Sequence, residues 1–113
     1  MSITMARSAR TYSHLTLEAA RLLGARVRLA RHERRWTAEE LGSRIGADRT
    51  TVGRIERGDP SVRLGLAFEA AAILGVTLFD PEEDRRAAEL RRVADQLALL
   101  PQRARARKVD DDF

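Results

Sequence analysis

The chain reads as an all-α protein, a five-helix bundle with a disordered C-terminal tail, and three observations predict this. Runs of alternating β-branched and aromatic residues are absent, and Pro occurs only three times in 113 residues. Apolar residues recur at helical rather than strand spacing. The apolar stretches are bounded by residue types that start and stop helices, with Gly46, Gly58 and Gly75 standing where a left-handed C-cap is cheapest.

An apolar content of 43% in a chain of this length suffices for one core. The expected organisation is a flexible N-terminal arm at 1–14, a helical domain at 15–80, a C-terminal helix at 81–100 that serves either the core or a dimer, and a charged tail at 101–113. Ala70 to Val76, the longest apolar run, is too short to span a bilayer, and no signal-peptide apolar region follows the Arg-bearing N-terminus. A soluble, cytoplasmic protein with no membrane partner is expected. Zero Cys excludes disulfides and thiolate chemistry.

The formal charge of +4 is modest but unevenly placed: residues 1–36 carry eight Arg against Glu18 and Glu33, netting +6 and leaving −2 for the rest. All but one of the 21 basic residues are Arg, which base composition of the coding DNA explains as readily as phosphate binding does. The arm residues Arg7 and Arg10 suit either a solvated tail or a backbone contact.

From Thr16 the pattern turns helical, with Ala20, Leu23, Val27 and Ala30 along one stripe and the end near Glu33 to Arg35. Arg21, Arg28 and Arg35 recur every seventh residue on the outer face, and Arg28 is an expected phosphate contact. His32 reads as a surface residue rather than a catalytic base.

Thr37 with Glu40 forms a capping box and starts the next helix, while Trp36 and Leu41 hold staple spacing. Leu41 and Ile45 make the buried stripe, and Gly46 stops the helix. Gly42 costs about 1 kcal/mol against Ala inside a helix, a cost that close crossing of the following helix explains. Asp48 is a favourable N-cap for a helix from Arg49 to Arg57, with Gly58 as its stop. Rotation by roughly 100° per residue turns Val52 and Ile55 inward, and Thr50, Gly53 and Arg54 outward with Arg49 and Thr51 flanking. That outward face is short-chained, polar and cationic, the chemistry of a major-groove reader.

Asp59-Pro60-Ser61 is a turn, and Ser61 or a neighbour is expected to cap a fourth helix running to Leu74, closed by Gly75. Leu64, Ala67, Ala71 and Leu74 should share its buried face, with Phe68 at the bundle edge and Val76, Leu78 and Phe79 as an apolar strap; both Phe are expected in the core. Asp80-Pro81-Glu82-Glu83 starts the last helix, where Leu90, Val93, Ala94, Leu97 and Ala98 form a stripe that must bury on its own bundle or against a second copy. Pro101 ends it. The three carboxylates Asp110, Asp111 and Asp112 lack neighbouring ligands and read as a solvated end, so no metal and no cofactor are expected.

The segment from Thr37 to Gly58 resembles the helix-turn-helix of the Cro and phage-repressor class, the Xre family. The matches are Gly42, the turn Gly46, apolar Leu41, Ile45, Val52 and Ile55, and the closing I-E-R-G at 55–58. The resemblance implies a lambda-repressor-like bundle, makes 15–80 the DNA-binding domain, and makes the second helix of the motif the recognition helix. Carried over by position, it implies that Arg49, Thr50 and Arg54 face bases and that Thr37, Ala38 and Thr51 lie near phosphates. It also implies that Arg31 pairs with Glu56 to tie the first helix to the recognition helix. Two departures are Ala38, where relatives often carry a phosphate-bonding Gln, and Gly53, where they often carry Ser.

Leu23 to Phe79, Ala98-Leu99-Leu100-Pro101 and the Asp-Phe end are further similar to HipB-like antitoxins encoded beside HipA-type Ser/Thr kinase toxins. This implies a homodimer that represses its own operon at a palindromic operator and holds the kinase. Val109, Asp110, Asp111, Asp112 and Phe113 would then form the toxin-binding tail. The alternative is a stand-alone Xre-family regulator. Two isolated His, no Cys and no Gly-rich phosphate loop leave no converging set for an enzyme.

Overall fold

Local capping chemistry sets most of the boundaries in the computed structural model, which describes residues 11–101. Among these residues there are five helices and no strand: α1 (His14–Glu33), α2 (Ala38–Ile45), α3 (Arg49–Arg57), α4 (Leu64–Leu74) and α5 (Glu83–Ala98). Arg7, Arg10 and the tail Val109 to Phe113 lie outside the described residues. The chain divides into two compact units, Met1–Thr77 and Leu78–Phe113.

In the first unit α1 begins two residues ahead of Thr16, because Ser13 caps it and its Oγ accepts from the Thr16 amide at 3.2 Å. Its inward stripe holds the expected Leu23, Val27 and Ala30, and Gly24 and Arg31 are buried on the same side. The helix closes at Glu33, and Arg35 adopts a left-handed φ of 60° beyond it, so Arg35 does not share the outer helical face with Arg21 and Arg28.

The capping box at α2 is complete: Thr37 Oγ1 accepts from the Glu40 amide at 3.0 Å, and the Thr37 amide donates to Glu40 Oε1 at 2.7 Å. Trp36 packs half-buried against the core, with the guanidinium carbons of Arg34 and Arg44 5.2 and 4.1 Å from its ring centroid. A Cβ at Gly42 would run into the carbonyl oxygen of Ala47 and come within 3.3 Å of its carbon. The crowding neighbour is thus the turn backbone rather than the body of the following helix.

Val27, Leu41, Ile45, Val52, Ile55, Ala70, Ala71 and Leu74 form one core in which α1 and α2 each pack against α3 and α4. Two expectations for α4 are corrected. Ser61 does not cap it, because its hydroxyl and amide are both taken by Asp59, and Arg63 precedes the helix without a side-chain cap. Leu64 is 68% exposed, and the buried positions are Ala70, Ala71 and Leu74. Gly75 closes α4 at φ 73°.

In the second unit Asp80 Oδ1 accepts from the Glu82 amide at 2.9 Å, and α5 starts after Glu82, so Pro81 precedes the cap rather than lying in the first turn. Phe79 is 69% exposed, and with Leu78 it does not form the expected buried strap. No residue of α5 is buried: Leu90, Val93, Ala94, Leu97 and Ala98 are all exposed. No helix of the described residues is long and apolar enough to cross a membrane.

Candidate nucleic-acid interface

The α3 helix is fastened at both ends and along its inner side, which leaves its outer side to be presented as one rigid surface. At its start Asp48 is extended and accepts from the Thr51 amide at 2.8 Å, a bond that holds the Asp48 carboxyl below the usual carboxylate range. At its end Gly58 takes φ 80°, and its amide donates to the Ile55 carbonyl at 3.0 Å. Between them Val52 is fully buried and Ile55 nearly so.

Two glycine contacts set how closely α3 lies to α1. A Cβ at Gly24 would strike the Ile55 carbonyl oxygen and come within 2.7 Å of that of Glu56, while one at Gly58 would come within 2.6 Å of Arg21 Cα. Backbone therefore meets backbone at this crossing, a closeness that any side chain would prevent.

Beside it the Arg31 and Glu56 side chains are paired in a buried fork, with Nε to Oε2 at 2.6 Å and Nη2 to Oε1 at 3.0 Å. Arg31 Nη1 also donates to the Trp36 carbonyl at 2.9 Å, so one guanidinium ties together α1, α3 and the entry to α2. The Glu56 hydrogen bond raises the Arg31 pKa more than burial lowers it.

Arg49 and Thr50 are exposed at the start of α3 and line a groove with Glu39, Ser43, Ala47 and Asp48. Two carboxylates on this rim, Glu39 and Asp48, disfavour a phosphate inside the groove. Thr51 and Gly53 are half-exposed. Arg54 is also half-exposed but is not loose: Nε donates to Asp59 Oδ2 at 2.8 Å and Nη2 to Ser61 Oγ at 3.0 Å. Ser61 and Arg54 together lower the Asp59 pKa to about 2.

The positions expected near phosphates are dispersed. Thr37 is exposed, with its oxygen engaged in the capping box; Ala38 is half-buried against the core and offers only its backbone N–H; Arg28 is exposed on α1. The structure therefore brings Arg49 and Thr50 into one groove, holds Arg54 by a separate clamp, and leaves Arg28 on another helix.

Four contributors escaped the sequence reading. Arg57 is exposed, and its Nη1 lies 3.1 Å from where a Gly53 Cβ would stand, so it covers the outward face next to Gly53. Its place seven residues after Thr50 was a usable signal. Gly24, an unexplained Gly inside a long helix, was another. Asp59 and Ser61 carried no signal beyond turn propensity. Among the described residues no group of three or more His, Asp or Glu could hold a metal ion.

A family model described as a helix-turn-helix domain matches residues 22–88, which takes in α2, α3 and the turn between them. No curated protein and no solved structure matches the chain.

Proposed function

Because the chain belongs to this helix-turn-helix domain family, we propose that it is a sequence-specific DNA-binding transcriptional repressor with α3 as its recognition helix. The observation that carries this reading is the rigid mounting of a polar, cationic face, with Val52 and Ile55 inward and Arg49, Thr50, Arg54 and Arg57 available on the other side. Arg54 and Arg49 are suited to bidentate contacts with guanine, and the Thr50 methyl to a thymine methyl. Thr37, Ala38 through its amide, Thr51 and Arg28 supply backbone contacts that fix register without reading sequence.

The repressor acts as a homodimer on a palindromic operator, with half-site centres about 34 Å, or about 10 bp, apart. Support for a dimer comes from the limited number of base pairs one helix reads and from the exposed apolar residues of α5. A finer form of the proposal makes the chain the antitoxin of a HipA-type kinase, with Val109 to Phe113 engaging the toxin; its support is the resemblance of Leu23 to Phe79 and of the Asp-Phe end. The alternative is a stand-alone regulator.

Selection from a randomised duplex library followed by anisotropy titration tests the reading. A cognate site bound at least about 10³-fold tighter than random DNA is expected; equal affinities would remove the repressor function. Co-expression with the product of the adjacent reading frame and size-exclusion chromatography tests the antitoxin form, for which co-elution is expected and separate elution is disqualifying.

A further inference from the structure

We propose that Asp59 and Ser61 form a clamp that dictates which edge of the Arg54 guanidinium meets DNA, making Arg54 a reader of guanine and Asp59 a specificity-positioning residue that touches no base. The proposal rests on the reading of α3 as the recognition helix. Asp59 Oδ2 accepts from Arg54 Nε, and Ser61 Oγ accepts from Arg54 Nη2. The other oxygen of the same carboxylate, Oδ1, accepts from the Ser61 hydroxyl at 2.7 Å and from the Ser61 amide at 2.9 Å. The three side chains therefore close a ring in which the serine hydroxyl donates to Asp59 and accepts from Arg54.

The ring has a direct consequence for recognition. A guanidinium has five N–H donors, and the clamp takes two of them, both along the Nε–Nη2 edge. Of the three that remain, two form the terminal edge, one N–H from each of Nη1 and Nη2 in parallel, and the third is the other Nη1 N–H, which points back along the side chain. The Arg54 side chain is 37% exposed, and neither bond of the clamp occupies the terminal edge. Two parallel donors match adjacent acceptors O6 and N7 of guanine; adenine places a donor beside its acceptor, and cytosine and thymine offer no such pair.

The clamp also discourages the competing use of Arg54. An adjacent carboxylate offsets the positive charge that would draw the side chain to phosphate, while leaving the directional fork intact. A long side chain already held in one geometry loses less freedom when a base edge docks. The surrounding loop is ordered to suit, since the Asp59 amide donates to the Arg54 carbonyl at 3.0 Å and Gly58 makes the turn in the left-handed region.

The test uses the full chain with Arg54→Ala, Asp59→Ala, Ser61→Ala and the Arg54→Ala/Asp59→Ala double variant. For each, affinity is measured for the operator selected by the unmodified protein and for every single-base replacement in it, together with Tm. Guanine should be preferred at one position per half-site by about tenfold or more, and Arg54→Ala and Asp59→Ala should each abolish that preference alone. The double variant should lose no more than either single one, and Arg54→Lys, which lacks the fork, should not restore the preference. Ser61→Ala removes a single acceptor and serves if Asp59→Ala unfolds the loop; it should weaken the preference severalfold. Unchanged discrimination in Asp59→Ala and Ser61→Ala, with loss in Arg54→Ala, overturns the clamp and leaves base reading standing. Unchanged discrimination in Arg54→Ala overturns both, and the absence of any preferred sequence for the unmodified chain overturns the recognition-helix reading itself.

Discussion

At the scale of single residues, the Arg31–Glu56 fork shows how burial changes the weight of an ion pair. Regarded as an exposed pair it would stabilise by about 0–1 kcal/mol. Its side chains are only 11% and 8% accessible, so removing one partner strands a charge away from water. Glu56→Ala should therefore lower stability by about 3–5 kcal/mol in urea unfolding at neutral pH, and a loss below about 1 kcal/mol would show that Arg31 finds water instead. The pairing was implied by resemblance, but its depth was not legible, since burial depends on Trp36 and the Gly24 crossing. Asp59 supplies a pH dependence. Its carboxylate is favoured in the folded state, with a pKa of about 2 against an ordinary 3.8, so its contribution is complete above that ordinary value and is lost as pH falls towards about 2. Asp59→Asn should flatten this part of the Tm-against-pH curve and leave its course above pH 5 unchanged in shape.

Among the helices, those with capping signals and two-sided composition were legible to the residue. Thr37 with Glu40, Asp48, Gly46 and Gly58 bound α2 and α3 where their chemistry requires. In α4 the segment LGLAFEAAAIL is apolar on nearly every side, so the spacing that joins Leu64 to Ala67, Ala71 and Leu74 finds the buried Ala71 and Leu74 but cannot tell that Leu64, in the first turn, stays exposed while Ala70 is buried. Ser61 misled for a different reason: a turn serine has two nearby uses, and the Asp59 carboxylate outcompetes the helix end. The seat of α3 on α1 yields a prediction at this scale. Gly24→Ala improves helix propensity, yet its methyl meets two carbonyl oxygens that cannot swing aside. The variant should be destabilised by about 1–3 kcal/mol in thermal or urea unfolding, and a gain in stability would mean that α3 can retreat at little cost.

Over the whole molecule, the uneven charge and the exposed apolar residues of α5 bear on the proposed DNA binding and dimerisation. The first 36 residues hold a net +6, and Arg28 is an exposed member of that field. Arg28→Ala should weaken cognate and random DNA alike and reduce the slope of log K against log salt by about 0.9, whereas a sequence-dependent loss would relocate Arg28 to a base. On the proposed homodimer, the exposed apolar residues of α5 supply the contact: Leu90→Arg with Val93→Arg should convert a sedimenting dimer to monomer, and an unchanged dimer would assign the contact elsewhere. Here the sequence was least informative. A stripe at heptad-like spacing announces that it needs a partner but carries no statement of which one, and α5 has no buried residue to decide it.

The glycine-to-backbone seat beneath Ile55 and Glu56 separates what the chain must keep from what it can vary. The tilt of α3 is set by main-chain atoms, not by the groups that project from it. If α3 reads DNA as proposed, exchanging Arg49, Thr50 and Arg57 should thus retune target choice without repositioning the scaffold, which suits this domain as a frame for engineered DNA-binding proteins.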